Sequence, residues 1–208
     1  MKIYDISMTI HPEMPVYNNR SENLPQFKNV SDFKTGKAYE SAISFMNMHT
    51  GTHLDAPRHM LENGDLIDRI QLEQVITPCR VLDLTNITAE ITDTALLTKN
   101  IKPNEFILLK TKNSFNDQFD PNFVYLQRDG AEYLKKQRIS GVGIDNLGIE
   151  RDQPNHDTHK ILFKASILIL EGLRLRNIPE GSYLLIAAPL KIHGVEASPV
   201  RAVLLNEL

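Results

Sequence analysis

The chain has 208 residues, a formal net charge of -3, 41% hydrophobic and 24% charged residues, which fits one domain with a substantial core. With no basic stripe and no apolar run near the ~18 residues that cross a bilayer, neither nucleic acid nor membrane is an expected partner. One cysteine excludes a multi-thiolate zinc site and an internal disulfide, and MKIYDISMTI lacks the apolar core of a secretory signal, so a cytoplasmic protein acting on a small molecule is expected.

Period-two patterns predict strands at 2–6 and 40–48, separated by a Pro-, Asn- and Ser-rich segment, 11–37, that reads as a surface arm lining a site or reaching a partner subunit. Further strands are predicted at 79–84 and 105–111, with a helix over 94–99 capped by Asp93 between them. Cys79 reads as a small core residue. After an irregular stretch at 112–124 come a helix over 130–137 capped by Asp129 and a strand at 141–145. A second irregular stretch, 146–157, leads into a helix over 158–165 capped by Asp157, and strands follow at 166–171, 182–187 and 200–205. Interleaved strands and helices make the expected class α/β, in a single domain.

Between the second and third of these strands lies HTGTHLDAPRH, which packs His49, His53, Asp55 and His59 into residues 49–59. Imidazole nitrogens with a carboxylate suit a borderline divalent ion, zinc first and manganese second, in a catalytic rather than a structural site. Extended, the segment would span about 33 Å, so the chain must fold back for these residues to share an ion; Gly51 and Pro57 supply the bends. A continuous helix would point Asp55 away from His49 and His53, whereas a strand puts His53 and Asp55 on one face and lets His49 return across Gly51. The preceding AISFM strand is expected to anchor the loop in the core. Three ligands leave a position for water, whose pKa can fall to about 7 on a metal, giving a hydrolytic nucleophile. A weaker cluster, His156, His159 and Glu171, follows in HDTHKILFKASILILEGL. Glu171 extends an apolar run, where a carboxylate is costly to bury unless paired or metal-bound.

HTGTHLDAPRH matches every fixed position of HxGTHxDxPxH, and the chain resembles the cyclase-like metal-dependent hydrolase family, with its bacterial kynurenine formamidases and isatin hydrolases. The likeness extends over YDISMTIHPEMPVY, a central GID turn, His159 followed twelve residues later by Glu171, and IAAPLKIHGVEASPVRAVLL. It implies a swivelling β/β/α fold, a mixed sheet with flanking helices, and assembly as a homodimer or homotetramer with N-terminal segments near neighbouring sites. It also implies one or two ions per chain, the first on His49, His53 and Asp55, the second on Asp55, His159 and Glu171, with Asp55 bridging. His59 becomes the proton donor and acceptor, or a ligand in another metal state.

The implied reaction is attack of metal-bound hydroxide on an aryl formamide of the N-formylkynurenine kind or on a cyclic amide, with His59 protonating the departing amine. Tyr17 takes the place of a tryptophan that contacts the aromatic substrate. Asn18 and Asn19 replace the usual Pro-Gly-Asp, and Gly148 stands where a serine is common. Thr52 is expected to be a loop-stabilising hydroxyl, His156 a surface residue, and His11 and His193 structural or solvated. A cyclase or dehydratase of the same family and a non-catalytic metal-binding protein are the alternatives.

Overall fold

A computed structural model describes residues 1–206. In chain order its strands are β1 (Lys2–Asp5), β2 (Gln26–Ser31), β3 (Glu40–Phe45), β4 (His53–Asp55), β5 (Ile76–Asp83), β6 (Glu90–Ile91), β7 (Phe106–Lys110), β8 (Tyr125–Leu126), β9 (Gly141–Ile144), β10 (Leu168–Glu171), β11 (Gly181–Ile186), β12 (Ala197–Pro199) and β13 (Val203–Asn206). The helices are α1 (Asp93–Leu97), α2 (Arg128–Gln137) and α3 (Asp157–Lys164). None of them is long and apolar enough to cross a membrane.

Among the described residues, nine strands form one mixed sheet in the order β1-β13-β11-β5-β7-β9-β10-β4-β12. The centre, β5-β7-β9-β10, is parallel and both flanks are antiparallel. The central strands FILLK, GVGI and LILE are buried on both faces, as parallel strands between two layers must be. Period-two alternation sorts their side chains. Phe106, Leu108, Leu168 and Leu170 enter one core, which also holds Leu54 and Leu204 from distant strands, so the sheet curls over that face. Ile107, Leu109 and Ile169 enter the other, against Leu96 of α1, Ala131 and Leu134 of α2, and Leu162 and Phe163 of α3. Cys79 is a buried core residue, its thiol pushed up to about 12 by burial.

Several local expectations are corrected. The segment 11–37 contains β2, which pairs with β3 in a two-stranded ribbon exposed along its length. The AISFM strand therefore does not anchor the motif in the core; Gly51 and the pairing of β4 do that. The helix caps differ too. Thr92 rather than Asp93 caps α1, and Gln127 rather than Asp129 caps α2. At α3 the N-cap position is held by His156 in a left-handed conformation (φ 52°, ψ 48°), with no hydrogen bond from its own side chain.

Candidate metal centre

Strand β10 leaves the parallel core at Glu171, and β4 pairs beside it with His53 opposite Glu171 and Asp55 opposite Ile169. Directly opposed residues share a face, and so do residues two apart on one strand, so this register alone gathers His53, Asp55 and Glu171. His53 Nε2 lies 3.3 Å from Glu171 Oε2 and 3.5 Å from Asp55 Oδ1. The other ring nitrogen of His53, Nδ1, donates to the Gly51 carbonyl at 2.9 Å, which leaves Nε2 turned to the carboxylates as a lone pair in the neutral ring.

The two chain turns at the ends of these strands are pressed together. Gly51 (φ 66°) and Gly172 (φ 71°) both need left-handed backbone, and a Cβ on Gly172 would stand 2.3 Å from the Gly51 carbonyl oxygen. Thr52 bridges the junction: its buried hydroxyl donates to the Gly172 carbonyl at 2.6 Å and accepts the Met8 N–H at 2.8 Å. It is the loop-stabilising hydroxyl expected from the sequence.

Asp55 is fully buried, and its two oxygens face different partners. Oδ1 is 2.9 Å from His49 Nδ1, and Oδ2 is 3.8 Å from His159 Nε2, which is itself 3.5 Å from Glu171 Oε1. His159 comes from α3, on the same side of the sheet. The His59 ring, from the turn Pro57–His59, sits between the two groups, with centroids 4.3 Å from His49 and 5.6 Å from His159. Ligand atoms of His53, Asp55 and Glu171 lie within 4.8 Å of one another, as do those of His49, Asp55 and His59.

Burial opposes every charge in this cluster, yet the charges hold one another. Against desolvation, Asp55 and Glu171 push His53 up to about 9, while His159 and His53 bring Glu171 down to about 2 despite the repulsion of Asp55. Asp55 lies well below the usual carboxylate range, against its burial, because His49 and His53 face it. His59 goes the other way, lowered chiefly by burial. Asp55 Oδ1 and Oδ2 and His53 Nε2 are buried with no hydrogen-bond partner among the described residues. Buried oxygen and nitrogen atoms that converge without hydrogen bonds are what a divalent ion takes up once His53 gives up its proton, so the residues fit one.

A cavity of about 280 Å³ opens over the cluster. Its walls away from the histidines include Val16, Tyr17, Met60 and Leu147. The Tyr17 ring packs edge-on against Phe119 (centroids 5.2 Å apart) and Phe123 (6.4 Å). Asn18 and Asn19, next to it, adopt φ 56° and 53°, a region asparagine tolerates better than most residues. Gly148 is pressed to the same ring: a Cβ there would be 3.0 Å from Tyr17 Cε2.

Two acidic residues escaped the sequence reading. Glu150, buried in the stretch 146–157, contacts both His156 and His159, and Glu196, just before β12, lies 3.2 Å from His49 Nε2. Glu150 sits in no local motif, Glu196 lies in the stretch IAAPLKIHGVEASPVRAVLL with no ligand spacing to single it out, and only the folding of α3 and the β4/β12 pairing brings them in. His156 is an exposed surface residue, as expected, and lies at the cavity rim. His193 is exposed and pairs with Asp68 at 2.9 Å, and His11 is exposed outside the cavity.

Residues 4–151 match the Cyclase family model. A kynurenine formamidase of Sphingopyxis alaskensis is 31% identical over 207 residues, covering 98% of this chain and 97% of the relative. The solved structure of a predicted metal-dependent hydrolase from Bacillus stearothermophilus superposes with a TM-score of 0.90 at 45% identity, covering 98% of this chain and 97% of that one. Isatin hydrolase A of Labrenzia aggregata, bound to benzyl benzoate, gives 0.86 at 26% identity over 99% of this chain and 94% of its own. With the family model matching most of its length and such relatives covering nearly all of it, the chain belongs to the Cyclase family of metal-dependent hydrolases.

Proposed function

We propose that this chain is a metal-dependent hydrolase of amide bonds, acting on an aryl formamide of the N-formylkynurenine kind, with a cyclic amide of the isatin kind as the second candidate. The observation that carries this reading is Asp55, buried with one oxygen toward His49 and His53 and the other toward His159. That arrangement supports two ions, one on His49, His53 and Asp55 and one on Asp55, His159 and Glu171, zinc first and manganese second. Bound there, such ions supply Lewis acidity and bring the pKa of water near neutrality.

The chain's own residues supply the rest. Burial disfavours the His59 imidazolium, so the ring is neutral at pH 7 and able to take a proton from the attacking water. It then returns that proton to the amine nitrogen as the bond to the carbonyl carbon breaks. Tyr17, braced by Phe119 and Phe123, presents a ring edge and face to an aromatic substrate, while Val16 and Leu147 exclude water around it. Formamidase and hydrolase relatives of full length support the same chemistry. Turnover of an N-formyl arylamine and of isatin, with and without chelator, tests it: activity lost to chelator and restored by zinc or manganese is expected. Metal-replete protein that cleaves no amide, lactam or ester refutes it.

The ribbon of β2 and β3, with the segment that joins them, exposes Phe27, Val30, Phe33, Tyr39, Ile43 and Phe45. So much apolar surface on one projecting element supports assembly as a homodimer or homotetramer through it. Light scattering showing a monomer at working concentration would remove that assignment.

A further inference from the structure

We infer that Glu150 is a positioning residue for the second ion, holding the His159 imidazole with Nδ1 toward its own carboxylate and Nε2 toward Asp55 and Glu171. This rests on the two-ion reading above. Glu150 is only 6% exposed, and a carboxylate buried to that degree needs partners. All of those found belong to the start of α3. Oε1 lies 2.6 Å from His156 Nδ1 and 2.9 Å from His159 Nδ1, the latter set off the ideal hydrogen-bond line, and Oε2 accepts the backbone N–H of His159 at 3.2 Å.

The last contact explains the missing cap of α3. The first N–H groups of a helix need acceptors, commonly the side chain at the N-cap. Here the N-cap residue, His156, turns its ring to Glu150, and the Glu150 carboxylate takes the N–H three positions on. One carboxylate therefore caps the backbone that carries His159 and faces the ring itself, 2.9 Å from Nδ1. The opposite ring edge is left facing the cluster, with Nε2 3.5 Å from Glu171 Oε1 and 3.8 Å from Asp55 Oδ2. A half-turn of the ring would present carbon there instead. Carboxylates behind metal-binding imidazoles set ring orientation in this way, and their loss typically weakens binding about 10- to 100-fold.

The test is zinc titration of the full chain in competition with a chromophoric chelator, resolving both equivalents, for the unsubstituted protein, Glu150→Gln, Glu150→Asp and His156→Ala. Cobalt(II) absorption spectra of the same proteins give a second readout. Glu150→Gln is expected to weaken the second equivalent about 10- to 100-fold while the first moves less than about threefold, with a changed spectrum for the second cobalt only. Glu150→Asp, which keeps the charge, is expected to recover part of the loss and serves if the glutamine variant does not fold. Equal weakening of both equivalents would make Glu150 merely structural and overturn the inference, as would unchanged affinity for both. A further equivalent of zinc in the unsubstituted protein that disappears in His156→Ala would also overturn it, because Glu150, His156 and His159 would then be a metal site of their own. An unsubstituted protein binding a single ion would instead refute the two-ion reading, and this inference with it.

Discussion

Replacing Thr52 by valine keeps the shape of a buried side chain and removes one oxygen. That oxygen bridges the Met8 N–H (2.8 Å) and the Gly172 carbonyl (2.6 Å), both at buried positions. Each would be left without its partner, and a buried unpaired group costs about 1–3 kcal/mol, so Thr52→Val should destabilise the protein by about 3 kcal/mol. For a protein stable by roughly 5–15 kcal/mol this is a large share, and at this chain length it corresponds to a fall in Tm of about 6–12 °C. Thr52→Ser, which keeps the hydroxyl and loses a methyl, should cost only about 1 kcal/mol. Urea unfolding of the metal-free proteins, followed by fluorescence and circular dichroism, measures both, with the change in midpoint and not in slope. Because the same hydroxyl ties the turn before His53 to the turn after Glu171, zinc affinity of the valine variant should fall as well. A valine variant within about 0.5 kcal/mol of the serine one would refute the bridging role.

Four further outcomes are expected. His59→Ala should lower kcat/KM about 10²- to 10⁴-fold while zinc content stays unchanged, and loss of metal with activity would make His59 a ligand instead. Gly148→Ser should raise KM for aromatic formamides several-fold, because its Cβ would meet Tyr17 Cε2 at 3.0 Å and Phe119 and Phe123 block the ring's retreat; an equal effect on a small aliphatic formamide would count against the contact. Metal uptake should release protons at pH 7, since His53, held up to about 9 in the metal-free protein, must lose its proton to bind. The same shift gives the metal-free protein a stabilising contribution that is complete below the usual histidine pKa of 6.5 and disappears as pH rises through about 9. Glu171, held at about 2, contributes above its usual 4.5 and loses that as pH falls through about 2. Metal-free Tm should therefore fall between pH 7 and 9.5 while metal-loaded Tm holds or rises, and parallel curves would contradict the assignment.

The α/β class was legible in the residues alone, since strands FILLK, GVGI and LILE alternate between two apolar layers and α2 and α3 carry matching apolar faces. So was the front half of the site: His53 and Asp55, two apart with Gly51 as the bend, share a face once the segment is extended. Strand β12 was not legible because a three-residue strand carries no period and forms only by pairing with neighbours, and β4 was legible only as the extended piece that puts His53 and Asp55 on one face, without its partners. Nor was the exposure of β3, whose alternation resembles that of a core strand. Long-range packing supplied the rest. It set Glu171 opposite His53 through the β10/β4 register, brought His159 over Asp55 on α3, and buried Glu150 behind it. These residues lie far apart along the chain, so their meeting depends on strand order and helix packing rather than on any local spacing. Local periodicity records which face a residue takes, whereas the identity of its neighbour is a property of the folded sheet.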